Sequence, residues 1–183
     1  MNIAPIFPTP IAYFFDFISS KERLQLLDHI KNIPHKSHYC IDGDGLSTHL
    51  HQYNFLDEKI KNRIQNALDE YNETCGNVPS RLENAWSNIQ NKGSTLIEHT
   101  HPDSNVSGAL YINVSDSCKL YFHTPNPYVY FTNKKTLTPY NYENQWIGVK
   151  NCELVLFPSW LKHGNNRDVC LMDDRIIISF NSR

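Results

Sequence analysis

The stretch from Ile97 to Ala109, IEHTHPDSNVSGA, sets three side chains able to bind a metal at alternate positions: His99, His101 and Asp103. In an extended strand, residues i, i+2 and i+4 project to one face. The three groups therefore converge if the strand persists through Pro102, and any two of them make half of a metal site. The other half must come from a distant part of the chain. FPSWLKHG supplies a candidate, because His163 follows the strand-like run CELVLF. Two imidazoles and one carboxylate form a facial triad on a ferrous ion, leaving three positions open for a bidentate co-substrate and dioxygen.

Arg175 comes twelve residues after His163 and opens the apolar run RIIISFN. If that run returns as the next strand of a jelly roll, the guanidinium reaches back into the barrel. There it pairs in bidentate fashion with a carboxylate of the co-substrate. Taken singly, each feature is weak. An HxH pair arises easily among nine histidines, His163 alone reads as an ordinary partly buried histidine, and Arg175 alone reads as a surface charge beside Asp173 and Asp174. The ordered set of HxHPD, then a distal His after a strand, then Arg heading an apolar strand, is far more specific.

These residues need a scaffold, and the chain has enough apolar content to build one. It has 183 residues, which suits one domain, and 40% are hydrophobic, enough for a real core. The net charge of −2 gives no basic excess for bulk nucleic-acid binding. No apolar stretch is long enough to cross a membrane. The start, MNIAPIFPTPIAYFF, lacks a basic leader and a small-residue cleavage site. The five cysteines, Cys40, Cys75, Cys118, Cys152 and Cys170, are scattered and form no CxxC pair. They read as reduced thiols of a cytoplasmic protein.

Prolines 5, 8 and 10 keep the first segment extended. Ser19-Ser20 then caps a helix whose expected face is Leu24, Leu27 and Ile30, with Pro34 ending it. A polar loop containing GDG follows. A second helix is expected from Leu56 to about Tyr71, with Ile60, Ile64 and Leu68 at four-residue spacing, and residues 72–80 form a break. The remainder is short runs rich in Ile, Val, Tyr and Phe: SNIQNKG, STLIEHT, GALYINV, KLYFHT, YVYFTN, WIGVK, CELVLF and RIIISF. This order predicts an α+β, mainly β chain in which a double-stranded β-helix (a cupin-like jelly roll) over residues 81–183 carries an N-terminal extended segment and helices over residues 1–80.

The motifs resemble those of iron(II)/2-oxoglutarate-dependent oxygenases of bacteria and phages. The matching stretches are IFPTPI (Ile6 to Ile11), AWSNIQNKG (with Trp86, Asn88 and Gly93), HxHPxSxxSGxxY (His99 to Tyr111), LxLFPSWLxH (ending at His163) and RIxISFN (Arg175 to Asn181). The resemblance implies Fe(II), 2-oxoglutarate and dioxygen as cofactors, and hydroxylation of a small-molecule or peptide substrate. It places His99, His101 and His163 on the metal, whereas the chemistry of the common triad favours His101, Asp103 and His163. His101 and His163 belong to both sets, and the third ligand stays open between His99 and Asp103. Arg175 is the expected anchor of the 2-oxoglutarate carboxylate. Asn88, Ser107, Tyr111 and Ser179 are either further donors to 2-oxoglutarate or strand residues satisfied by their neighbours. No catalytic residue is expected beyond the metal ligands. Trp86 and Trp160 read as packing residues.

One departure stands out. Where the family often has an acidic residue, proline and arginine, this chain reads FHTPNP, and His123 there reads as a loop histidine. The Tyr- and Asn-rich loop over residues 125–144 is expected to cover the pocket. HxH with a distal histidine would also serve a cupin-like isomerase or small-molecule-binding jelly roll, and Arg175 is the feature that separates the two readings.

Overall fold

The computed structural model describes residues 7–49, 55–131, 133–165 and 168–183. Ile6 of the IFPTPI motif lies outside the described residues. Two helices stand near the start of the chain. Helix α1 (Ser20–Asn32) begins with a capping box: the Ser19 amide donates to Glu22 Oε2 (2.8 Å), and the Glu22 amide donates to Ser19 Oγ (3.2 Å). It buries Leu26 and Ile30, while Leu24 is 54% exposed. The expected face was rotated, because Leu26 and Ile30 stack at i, i+4 and leave Leu24 on the opposite side. Helix α2 (Glu58–Cys75) is capped by Asp57, whose side chain accepts from the Ile60 amide, and ends on Gly76 at φ 67°. It runs one turn past the expected end because Tyr71 and Asn72 continue its buried stripe.

The strands are β1 (Ala12–Phe14), β2 (Lys36–Ser37), β3 (Ile41–Asp42), β4 (Gly45–Ser47), β5 (Leu82–Gln90), β6 (Thr95–Leu96), β7 (Val106–Asn113), β8 (Lys119–His123), β9 (Asn144–Gly148), β10 (Leu154–Pro158), β11 (His163–Gly164) and β12 (Arg175–Ser182). A seven-stranded sheet has the order β1-β10-β7-β12-β5-β4-β2, and a three-stranded sheet has the order β11-β8-β9. A two-stranded ribbon, β3-β6, stands beside them. This is the double-stranded β-helix with helices packed on one face. The segment from Lys36 to Ser47, which reads as loop, instead adds β2 and β4 to the edge of the large sheet through β5. The YVYF part of YVYFTN is no strand. Residues Pro127–Phe131 form a 3-10 turn that buries only Val129, with Asn126 Oδ1 accepting from the Tyr128 amide.

The central strands β7, β10 and β12 are buried on both faces, which explains why they read as nearly continuous apolar runs. Alternate residues sort cleanly between the faces. Ile176, Ile178 and Phe180 of β12, Leu110 and Ile112 of β7, and Leu154 and Leu156 of β10 pack toward α1 and α2 in one core. Ile177, Ala109, Tyr111, Val155 and Phe157 face the barrel interior in a second core. Gly108 belongs to the helix side, where a Cβ would overlap the Phe180 ring and Leu156. That overlap explains the glycine of the pair Ser107-Gly108. No helix among the described residues is long and apolar enough to cross a membrane.

Candidate metal centre

The inner face of the barrel carries a cavity of about 270 Å³. At one end of it, His99, His101 and His163 converge, with one ligand-type nitrogen from each lying within 4.8 Å of the others. The backbone builds this meeting. His99 and His163 form an isolated antiparallel bridge, each amide donating to the other's carbonyl at 2.9 and 3.0 Å. His101 is fixed by its amide donating to the Ser159 carbonyl at 3.0 Å. Gly164 permits the approach, since a Cβ there would come within 2.9 Å of the Leu96 carbonyl oxygen and 3.0 Å of Glu98 Cα. Nε2 of His101 and Nε2 of His163 are 3.3 Å apart.

The ring nitrogens facing away are held as well. His99 Nδ1 donates to the Ile97 carbonyl at 2.7 Å, and His163 Nδ1 donates to the Leu161 carbonyl at 2.8 Å. Those bonds place the proton on Nδ1 and turn the Nε2 lone pair inward, as metal ligation requires. Burial lowers the pKa of all three imidazoles. His163 falls well below its ordinary value, and His101 falls to about 3, with repulsion from His99 and His49 adding to burial. The three rings are therefore neutral, the form that binds a metal.

Asp103 stands apart from this cluster. The chain leaves its extended path after His101, and Asp103 is an exposed turn residue at φ 66° whose carbonyl accepts from Arg183 Nε at 3.0 Å. The alternation that would bring Asp103 beside the imidazoles ends at Pro102. His123 is also elsewhere: it meets Glu98, whose second oxygen lies 3.6 Å from Lys162 Nζ.

Of the other sequence candidates, Asn88, Tyr111, Ser179 and Arg175 line the cavity, and Asn88 Nδ2 donates to Ser179 Oγ at 3.3 Å. Ser107 does not line it. Its hydroxyl lies behind the wall, 2.8 Å from Ser159 Oγ and 2.8 Å from Asn181 Oδ1. Trp86 is buried but lines the cavity as well as packing, while Trp160 is 56% exposed. None of the described residues between 125 and 144 lines the cavity.

Arg175 is buried, and its guanidinium donates to Gln90 Oε1 and, at 3.5 Å, to Cys118 Sγ. No carboxylate among the described residues pairs with it. Asp174 instead pairs with Lys31 at 2.5 Å, and Asp173 accepts from the Lys92 amide. Two more buried donors face the same region without a partner among the described residues: Gln90 Nε2 and the Tyr111 hydroxyl. Burial raises the Tyr111 pKa far above its ordinary value, so the phenol keeps its proton. A buried cation beside two orphaned donors is a site for an anion. This donor set fits the distal carboxylate of 2-oxoglutarate, and the three neutral imidazoles fit a divalent iron.

Sequence reasoning missed Gln90, although it follows Asn88 by two residues and stands opposite Arg175 in the β5–β12 register. It also missed His38 and His49, which continue the cavity wall through ring contacts of 4.4 Å to each other and 5.0 Å from His49 to Trp86. They come from an irregular segment that carries no periodic signal.

Solved structures share this architecture. An oxidoreductase of the 2OG-Fe(II) oxygenase family from Burkholderia pseudomallei superposes with a TM-score of 0.67 at 10% identity, covering 94% of this chain and 84% of that one. HygX from Streptomyces hygroscopicus, solved with nickel and 2-oxoglutarate bound, gives 0.65 at 14% identity, covering 95% and 82%. A prolyl-4-hydroxylase from Pseudomonas putida gives 0.56 at 15% identity, covering 95% and 91%. At these identities the likeness is one of fold. No curated protein sequence matches the chain. The family profile described as "Putative 2OG-Fe(II) oxygenase" matches residues 84–181. That span runs from β5 through the last residues of β12 and takes in every cavity-lining strand of the large sheet after β4, so the chain belongs to the 2OG-Fe(II) oxygenase family and is a 2-oxoglutarate-dependent oxidoreductase.

Proposed function

We propose that His99, His101 and His163 hold the iron, that Arg175 with Gln90 and Tyr111 holds the distal carboxylate of 2-oxoglutarate, and that the enzyme hydroxylates a small-molecule or peptide substrate. One observation carries the reading: a single cavity has three converging imidazoles at one end and a buried guanidinium in its wall, with two donors that have no partner among the described residues. Iron, when bound, supplies open coordination positions and redox chemistry with dioxygen. The protein's own residues do the rest. The Ile97 and Leu161 carbonyls keep the imidazole lone pairs inward. Arg175 offers the two-pronged charge that a carboxylate needs, and Tyr111 and Gln90 add neutral donors that can only be satisfied by an acceptor. Phe157, Ile177 and Leu120 line the same space with apolar surface.

The test is an anaerobic titration of the protein with Fe(II) and then 2-oxoglutarate. The expected result is a weak visible charge-transfer band that appears only when both are present. Stoichiometric iron binding with no band and no 2-oxoglutarate affinity would overturn the co-substrate assignment.

A further inference from the structure

His101 differs from its two partners in what stands behind it. His99 and His163 each give the Nδ1 proton to a backbone carbonyl, which cannot turn away. Nδ1 of His101 instead faces the side-chain amide of Asn181, 3.4 Å from Nδ2. Asn181 is buried, and its Oδ1 accepts from Ser107 Oγ at 2.8 Å. Ser107 Oγ in turn lies 2.8 Å from Ser159 Oγ, and Ser107 and Ser159 are both essentially inaccessible. The backbone locks the row: Asn181 is opposite Ser107 in the β12–β7 register, and the Ser159 carbonyl holds the His101 amide.

As placed, the amide presents an N–H to Nδ1, which suits a ring carrying its proton on Nε2. A metal on Nε2 demands the other tautomer, with a proton on Nδ1 that needs an acceptor. A half-turn of the Asn181 amide provides one, because Oδ1 then faces the ring and Nδ2 faces Ser107. A hydroxyl accepts as readily as it donates, so Ser107 can accept from the turned Nδ2 and give its own proton to Ser159 Oγ, 2.8 Å away. A carbonyl could not serve both states, and a carboxamide backed by two hydroxyls can.

We infer that Asn181 is the positioning residue for His101, with Ser107 and Ser159 as a reversible hydroxyl relay that lets its amide turn over when Nε2 takes a metal. The inference rests on the reading of the three imidazoles as iron ligands, and it deepens that reading.

The experiment is equilibrium binding of Co(II) alone to the full chain, by competition with a chromophoric chelator, without 2-oxoglutarate or turnover. Thermal unfolding of each metal-free variant serves as the fold control. Asn181→Ala is expected to weaken Co(II) binding about 10–100-fold, the usual effect of losing a partner behind a metal-ligating histidine. Asn181→Asp, which presents an acceptor to Nδ1–H whichever way it turns, is expected to bind at least as tightly as the parent. Ser107→Ala keeps the amide but removes its fixed neighbour, and a loss of several-fold is expected. Parent-like affinity in Asn181→Ala overturns the inference. So does equal weakness in Asn181→Ala and Asn181→Asp, because a packing role would not distinguish an acceptor from a methyl group. Should the alanine variant not fold, the comparison of parent, Asn181→Asp and Ser107→Ala decides, and weaker binding by the aspartate form overturns it. A parent chain that binds no Co(II) defeats the metal-site reading itself and removes this inference with it. The two failures are therefore distinguishable.

Discussion

His99 and His163, 64 positions apart in sequence, exchange both of their backbone hydrogen bonds with each other, and their rings stand 4.7 Å apart. Neither imidazole depends on a flexible loop for its place. A substitution that shortens one side chain should therefore leave the other where it is. His163→Ala is expected to abolish stoichiometric Fe(II) or Co(II) binding while the far-ultraviolet circular dichroism stays that of the parent. Metal occupancy that survives this change would remove His163 from the site.

His99 and Asp103 make opposite predictions because only one of them lies in the cluster. His99→Ala should lose metal affinity by well over tenfold. Asp103→Asn should stay within about twofold of the parent, and Asn is the suitable replacement because it tolerates the left-handed conformation at that position. A matched loss in both variants, measured by the same chelator competition, would refute the three-histidine set.

Arg175 should act on the co-substrate and leave the metal alone. Truncating one partner of a buried charge-assisted pair costs about 2–5 kcal/mol. At 1.4 kcal/mol per decade, Arg175→Ala should raise the half-saturating 2-oxoglutarate concentration at least about 30-fold. Lysine should rescue only part of this, since it keeps the charge and loses the fork. Co-substrate decarboxylation with an unchanged 2-oxoglutarate dependence would show that the anchor lies elsewhere.

The metal-free protein should lose stability in mild acid. His99, His101 and His163 have folded-state pKa values below their ordinary value, His101 at about 3. An unfolded histidine titrates near 6.5, so below roughly pH 6.5 the unfolded chain binds protons that the folded chain refuses. Stability is thus unaffected by these groups above about pH 7 and falls as pH drops through 6.5 toward the folded values. The urea midpoint with excess chelator should be lower at pH 5.5 than at pH 7.5, with roughly one to three protons taken up on unfolding. Saturating Co(II) should steepen this dependence, because the metal also favours unprotonated rings. A midpoint that does not move between the two pH values would mean the imidazoles are not held neutral by burial.

Much of this was readable from residue order alone. Period-two alternation placed His99 and His101 on one face, and an arginine heading an apolar run marked the strand from which Arg175 and Ser179 line the cavity. The sequence did not betray the point where alternation stops. A single turn residue at positive φ, Asp103, decides that, and Asp is one of the few residues able to adopt it without announcing it. YVYF has the composition of a strand, yet Pro127 and the Asn126 side chain close it into a turn, and its aromatics stay mostly exposed. Gln90 escaped notice because nothing in its neighbours' identities reveals that a guanidinium will lie opposite. Leu24 shows the limit of helical periodicity in a short helix, where two overlapping apolar faces were possible and packing against the sheet selected one.

The sorting of side chains between the two faces of the large sheet has an evolutionary consequence. Ile176, Ile178, Phe180, Leu110, Leu154 and Leu156 pack under the helices, while Ile177, Ser179 and Ala109 look into the cavity from β12 and β7. A mutation on the inward set alters what the enzyme accepts and leaves the outward set untouched. New specificities are thus accessible by drift or by selection from a library confined to one side of a sheet, on a scaffold whose folding instructions are written on the other.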